Sequence, residues 1–340
     1  MIKLSVLDHT HVAEGLSVKQ SLELTVRLAQ EAERLGYTRF WVPEHHSMLS
    51  IASSSPEVMI AHLAARTETI RIGSGGVMLP HYSAYKVAEN FRLLEALYPG
   101  RIDLGVGRAP GGMPIATRAL QEGKIGHVDL YGEQIADLAG YLHDSLPESH
   151  RFAGLQASPA IPTAPELWLL GSSGGSAHIA AAQGTGFAYA QFFGVPGSED
   201  AVPYYEERFK PSQLNEKPKA LSAVFVICAD TEEEADRLGQ SADLFFLLLE
   251  TGRLRSSFPS AQAAAEFPYT ELDKERMKAG RRRRFVGTPA QVKARLTAYA
   301  NQYGLEELMI VTMVHDFEAR LNSFRLLSEA FGLLGNGKGE

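Results

Sequence analysis

The stretch Ala84-Tyr85-Lys86-Val87-Ala88-Glu89-Asn90-Phe91-Arg92-Leu93-Leu94-Glu95-Ala96-Leu97-Tyr98-Pro99-Gly100-Arg101-Ile102-Asp103-Leu104-Gly105-Val106-Gly107-Arg108 carries one full unit of the fold. Apolar residues recur at three- and four-residue spacing up to Leu97 and predict a helix over Ala84–Leu97. Pro99-Gly100 ends it, because proline cannot continue the helix and glycine accepts the turn that follows. The pattern then changes to a short, nearly continuous apolar run. That predicts a buried strand over Arg101–Val106, followed by glycines and a cation.

The same alternation runs outward in both directions. Strands are predicted over Ile2–Leu7, Arg39–Val42, Ile70–Gly73, Leu167–Leu170, Gly186–Ala190, Ala220–Cys228 and Glu307–Thr312. Helices are predicted over 17–35, with Leu22, Val26, Ala29 and Ala32 on one face, and over 56–66, opened by Pro56. Others fall at 129–143, 175–182, 198–209, 288–303 and 317–331, and one begins at Glu232-Glu233-Glu234 behind the cap Thr231. Residues 144–165 contain four prolines and read as a connection, since the alternation resumes after them. Eight apolar strands separated by helices predict an α/β fold of the (β/α)₈ TIM-barrel type, one domain over 1–340. A doubly wound open sheet shares the alternation; the count of eight and the even spread favour the barrel. The irregular stretch 252–285 follows strand 7 and its helix. It is expected to form a lid over the barrel mouth, with Phe258, Phe267 and Tyr269 as cover and Arg281–Arg284 beside a bound anion. The alternative is that these arginines pair with acids such as Glu271 and Asp273.

Composition narrows the function. The chain has 340 residues, 45% hydrophobic and 21% charged, and a formal net charge of −7. It exerts no global pull on nucleic acid or anionic membranes. Cys228 is the single cysteine, so no internal disulfide can form. No apolar run reaches spanning length. The N-terminus reads as a strand instead of a signal peptide, and the expected location is the cytoplasm.

Function in a barrel sits on the loops that follow the strands. Here these loops carry Asp8, His9 and His11; Glu44-His45-His46; Ser74-Gly75-Gly76; Gly107-Arg108; Gly171-Ser172-Ser173-Gly174-Gly175-Ser176; and His315-Asp316. His9-x-His11 invites a metal reading, but no ligands follow strands 5 and 6, and no metal is expected. Gly171-x-Ser173-x-Gly175 fits a nucleophile elbow, with Ser173 as nucleophile and His315 as base of a serine hydrolase. The same glycine-serine turn, opening a helix, suits a phosphate better, with Arg108 as a nearby cation. Gly105-x-Gly107-x-x-Pro110 lacks the third glycine of a dinucleotide fingerprint.

Taken together, these residues resemble the bacterial luciferase-like flavin-dependent monooxygenases, in their single-chain, non-luminescent branch. The resemblance rests on Phe40-Trp41-Val42-Pro43-Glu44-His45-His46, Ile72-Gly73-Ser74-Gly75-Gly76-Val77-Met78-Leu79-Pro80, Ala88-Glu89, Pro99–Arg108 and Val286-Gly287-Thr288-Pro289. It implies a barrel that binds reduced FMN, supplied by a separate flavin reductase. It further implies O₂ addition at the flavin C4a carbon, giving a hydroperoxide that oxygenates a small organic substrate. By resemblance, Gly75-Gly76 matches a non-proline cis peptide beneath the flavin ring, next to Ser74. Arg108, Ser172, Ser173, Gly174 and Ser176 fall at the phosphate turn, where Ser172 replaces the family's glutamate. His45 matches the catalytic acid or base. Gly107 stands where luciferases carry a cysteine. A homodimer is implied through the early helices, where Ile60 and Leu63 are candidate contacts, with membership of the core as the equal alternative. A deazaflavin-dependent branch shares the fold and would transfer hydride instead.

Overall fold

A computed structural model describes residues 2–122 and 130–336 of the chain. Eight parallel strands form the frame: β1 (Lys3–Leu7), β2 (Arg39–Val42), β3 (Arg71–Ser74), β4 (Ile102–Gly107), β5 (Glu166–Gly171), β6 (Gly186–Ala190), β7 (Ala220–Cys228) and β8 (Glu307–Val311). Each pairs with the next. The ring closes where β1 pairs with β8 through Lys3↔Glu307 to Val6↔Ile310, and β8 pairs with β7 through Leu308↔Ser222 to Val311↔Phe225. That closure separates a barrel from a doubly wound sheet, whose edge strands never meet. Two short strands missed in the sequence, Val77–Met78 beside β4 and Phe285–Gly287 beside β7, extend the rim.

The helices outside are α1 (Val18–Arg34), α2 (Pro56–Ala64), α3 (Ala84–Leu97), α4 (Pro114–Leu120), α5 (Tyr131–Leu142), α6 (Gly174–Gln183), α7 (Ala201–Arg208), α8 (Glu232–Glu250), α9 (Ala261–Ala265), α10 (Glu271–Arg281), α11 (Pro289–Gln302) and α12 (Phe317–Phe331). The expected helix start at Asp129 lies outside the described residues. Strand alternation sorts the core into two sets. Leu4, Val6, Phe40, Ile72, Leu104, Leu169, Val224 and Ile310 face the helices. Leu7, Trp41, Trp168, Leu221, Phe225, Met309 and Val311 face inward. A strand whose successive side chains point to opposite faces must be apolar throughout when both faces are covered, and these strands nearly are.

The entrances of the strands hold a buried ionic layer. Arg39 bonds Asp103 (2.9 Å), Glu166 (3.1 Å) and Glu307 (2.7 Å). Arg71 bonds Asp103 at 2.6 Å, and Lys219 bonds Glu166 at 2.6 Å. Above it, Trp41 Nε1 donates to Asp103 (2.8 Å), and Trp41 meets Trp168 edge to face with centroids 5.7 Å apart. Gly73 makes this layer possible, because a Cβ there would stand 2.6 Å from Asp103 Cβ and 2.7 Å from Trp41 Nε1. The wide aromatic pair plugs the barrel below, so any ligand enters from the opposite, C-terminal end.

Two expectations change. Residues 252–285 are not an irregular loop, because they contain α9 and α10, each opened by a hydroxyl cap, Ser260 and Thr270. The charged composition of α10 hid its period. Ile60 and Leu63 are fully buried and belong to the core, so neither can supply a dimer contact; the exposed apolar residues of α2 and α3 are Val58, Leu93 and Leu97. Among the described residues, no helix is long and apolar enough to cross a membrane.

Candidate active site

The loop after β1 is fixed from within. Asp8 is buried, accepts from Thr10 N (2.8 Å) and from Arg320 Nη2 (2.7 Å), and so turns His9 toward the barrel mouth. His11 points elsewhere: its Nε2 donates to the Val314 carbonyl at 3.0 Å, and its ring lies 4.6 Å from that of Phe258. The His9-x-His11 pair therefore does not converge on one point. No group of three or more metal-ligating side chains occurs among the described residues.

The loop after β2 is held by Glu44. Its carboxylate accepts from His46 Nε2 (2.6 Å), Tyr82 Oη (2.7 Å) and Met78 N (3.0 Å). Glu44 thus bonds His46, not His45, and serves as an anchor for the loop. The His46 N–H donates to the Gly111 carbonyl (2.8 Å), and a Cβ on Gly112 would lie 2.3 Å from the His46 carbonyl oxygen. Only glycine lets the loop after β4 approach this closely. With its neighbours tied down, His45 faces the mouth and stacks on His9, centroids 5.8 Å apart at 18°. Burial lowers the His45 pKa to about 4, against a pull upward from the Gly111 carbonyl. Burial, helped by His45, lowers that of His9 to about 3. Both rings are uncharged near neutral pH.

Beside them lies a glycine shelf. The Gly75–Gly76 peptide is cis. A Cβ on Gly75 would meet Leu7 at 2.8 Å, and one on Gly76 would meet the Gly105 carbonyl at 2.7 Å, so the shelf rests directly on the barrel. Ser74 is buried, and its hydroxyl donates to the Gly105 carbonyl (2.8 Å) and accepts from Gly105 N (3.0 Å). It braces the shelf and presents no hydroxyl to the mouth.

The turn after β5 meets α6 at Ser173, which occupies the N-cap with extended backbone and makes no side-chain cap bond. The first N–H groups of a helix lack intrahelical acceptors and carry partial positive charge. Gly174 stands open, with nothing near where a Cβ would be, while Ser176 packs under Gly171. Since Val106 pairs with Leu169 across β4 and β5, Arg108 and Gly171 leave adjacent strands side by side. Arg108 is exposed there. A cation, a serine-lined turn and free amides at a helix N-terminus suit a phosphate monoester. The hydrolase geometry is absent. His315 Nε2 donates to the Glu14 carbonyl (2.9 Å), and no histidine among the described residues bonds Ser173.

A cavity of about 430 Å³ opens next to His9 and His45. Its walls include Met48, Phe192, Phe225, Phe246 and Met313, and its outer side is α10 with Arg276, Met277 and Gly280. Phe225 meets Phe192 and Phe246 at centroid distances of 5.1 and 4.9 Å. The arginine run does not pair with Glu271 or Asp273, which bond Lys274 and Arg253. Arg281 bonds Asp243 at 2.5 Å, and Arg284 bonds its other oxygen. Phe258, Phe267 and Tyr269 pin the segment instead of covering the mouth: Phe258 is buried against Phe245, and Phe267 stacks with Tyr269 beside Leu244 and Leu248. The sequence reading missed Phe192, Phe225, Asp243 and Arg276, while Arg283 lies within the Arg281–Arg284 run it had placed beside an anion; for Arg276 the available signal was its spacing with Met277 and Gly280 along α10.

The barrel, plugged at its far end, gathers a glycine shelf, a serine-lined turn at a helix N-terminus and two uncharged imidazoles around one mouth, beside a cavity of small-molecule size. The chain belongs to the luciferase-like monooxygenase family, whose description it matches over residues 2–306. It is 54% identical to YwcH of Bacillus subtilis (strain 168) over 97% of this chain and 99% of that one. It is 39% identical to an N-acetyl-S-alkylcysteine monooxygenase of the same organism, over 97% and 98%. Among solved structures, apo-MsnO8 superposes with a TM-score of 0.89 at 41% identity, covering 98% and 99%. The oxygenating constituent of a Pseudomonas putida Baeyer–Villiger monooxygenase, in complex with FMN, shares the fold: TM-score 0.70, 20% identity, with 97% of each chain covered.

Proposed function

We propose that this chain is a cytoplasmic, flavin-dependent monooxygenase that takes reduced FMN from a separate flavin reductase and inserts one atom of O₂ into a small organic substrate, the other leaving as water. The observation that carries this reading is the meeting, at one barrel mouth, of the Gly75-Gly76 shelf, the Arg108–Ser173 turn and the His45 cavity. The FMN-bound relative of the same fold supports the choice of flavin. When bound, the reduced flavin supplies the electrons that activate O₂. The chain's own residues do the rest. Gly75 and Gly76 present a flat floor without side chains. Arg108, Ser172, Ser173, Gly174 and the α6 N-terminus hold the phosphate, with Ser176 supporting the turn from below. His45 is uncharged near neutrality and accepts a proton at its free ring nitrogen. Within 252–285, α10 and the arginines after it serve as the lid, walling the outer side of the cavity against water while the aromatics pin the segment in place. The exposed Val58, Leu93 and Leu97 support a homodimer through α2 and α3.

The test is reconstitution with FMN, NADH, a flavin reductase and ¹⁸O₂. Substrate-dependent appearance of a single ¹⁸O in product is expected. Binding of a deazaflavin in preference to FMN, or turnover without O₂, would refute the reading.

A further inference from the structure

We propose that the substrate is an organic carboxylate with an apolar body, and that Arg276 and Arg283 hold its carboxylate at the rim of the cavity beside His9 and His45. The proposal rests on the monooxygenase reading above and names the substrate class of that same site.

The cavity's lining includes neither Gly75, Gly76 and Arg108 nor the 172–176 turn, so its walls are distinct from the residues proposed to hold the flavin. Its inner wall is aromatic and sulfur-bearing, soft surface that suits an apolar body of adaptable shape. Its outer rim is cationic. Three arginines line it, Arg276, Arg283 and Arg284, facing two carboxylates, Asp243 and Glu250. Asp243 is already shared between Arg284 and Arg281. No ion pair engages Arg276 or Arg283 among the described residues. Arg283 is nevertheless placed. Gln191 Nε2 donates to its backbone carbonyl at 3.3 Å. Its stem lies against Gly194, where a Cβ would stand 2.2 Å from Arg283 Cδ, and Gly194 has a φ of +57°. The geometry therefore seats the side chain while leaving the guanidinium unspent. Arg276 shares the cavity face of α10 with Met277 and Gly280.

The two ends of the cavity then sort a ligand. The imidazoles at its inner end are uncharged and offer an anion a neutral N–H but no positive charge, while the rim offers charged planar forks that match a carboxylate with two parallel N–H···O bonds. A carboxylate settles outward and its apolar end points toward His45. Oxygen insertion then falls on the apolar part of the molecule. A neutral analogue gains the same wall contacts but no ion pair.

The experiment measures binding of matched probes to the FMN-loaded full-length protein by calorimetry: N-acetyl-S-benzylcysteine and 4-phenylbutanoate, each against its primary carboxamide. At low salt each carboxylate should bind at least tenfold tighter than its amide, and the preference should shrink as salt is raised. R276Q/R283Q should cut the preference below twofold with amide binding unchanged. R282Q, on an exposed neighbour outside the cavity, should retain the full preference. Equal binding of acid and amide, no binding of either acid, or a preference that survives in R276Q/R283Q would overturn the proposal. Carboxylate-selective binding without ¹⁸O incorporation would sink the monooxygenase reading alone. Equal ¹⁸O incorporation into acids and amides would sink the carboxylate proposal alone.

Discussion

Asp103→Asn should cost about 3–5 kcal/mol of folding stability, the range for removing one partner of a buried ion pair. Asp103 is fully buried and accepts from Arg39 Nη1 (2.9 Å), Trp41 Nε1 (2.8 Å), Arg71 Nε (2.8 Å) and Arg71 Nη2 (2.6 Å). The layer holds three cations, Arg39, Arg71 and Lys219, against three carboxylates, Asp103, Glu166 and Glu307. Asparagine keeps the shape and one acceptor for Trp41 but leaves an uncompensated positive charge among buried groups. Arg71 is partly exposed and retains Glu166 at 3.5 Å, which moves the expected loss toward the lower end, about 3 kcal/mol. Arg71→Gln in the same chain restores the balance, so the double variant should be more stable than the sum of the singles predicts, with a coupling of about 0.5–3 kcal/mol. The assay is urea unfolding followed by tryptophan fluorescence, since the chain's two tryptophans, Trp41 and Trp168, both lie at this layer. A loss below about 1 kcal/mol for Asp103→Asn, the size of a surface pair, or additivity of the two changes, would refute the reasoning.

Arg108→Ala should weaken FMN binding by about 1.5–3 kcal/mol, the range for a charge-assisted hydrogen bond, as read by quenching of flavin fluorescence; unchanged affinity would remove Arg108 from the site. His45→Ala should keep FMN affinity and lose about 10²–10⁴-fold in rate. Because the His45 pKa is held at about 4, the basic form persists down through pH 5, and a rate loss centred near pH 6.5 would contradict its neutral state. Glu166 is raised by burial, but Arg39, Arg71 and Lys219 outweigh this and hold it at about 2 against an ordinary 4.5. Its contribution to stability is present above pH 4.5 and is lost as pH falls toward 2; Glu166→Gln should flatten acid unfolding in that window. Replacing Val58, Leu93 and Leu97 with serine should turn a dimer into a monomer in sedimentation, and a wild-type monomer at micromolar concentration would end the dimer proposal.

The strands and most outer helices could be read directly, because period and length are local properties of the chain. Ala84–Leu97 matches its expected bounds, and Ile102–Gly107 falls one residue from its own. The quoted motifs likewise located the shelf, His45 and the glycine-serine turn at the α6 N-terminus, since each is a contiguous run at a strand end. Burial was harder. Ile60 and Leu63 sit on α2 with Val58, and nothing in nine residues says which side meets the barrel. The helix α10 was lost in charge, and its hydroxyl cap at Thr270 was the only local sign of it.

What one sequence determined here is the repeat, its eightfold count and the short motifs that put a glycine-serine turn and a histidine at strand ends. Those features follow from backbone geometry and hydrophobic period, which act over a few residues. Only the tertiary structure decided the partners of charged side chains. It gave Glu44 to His46, Ser74 to Gly105, Asp243 to Arg281 and Arg284, and left Arg276 and Arg283 at the cavity rim. Asp243 and Arg284 are 41 positions apart in the chain, and Ser5 and Glu307 are 302 apart. Such pairs form because burial forbids an isolated charge, and which groups are buried together is set by closure of the whole barrel.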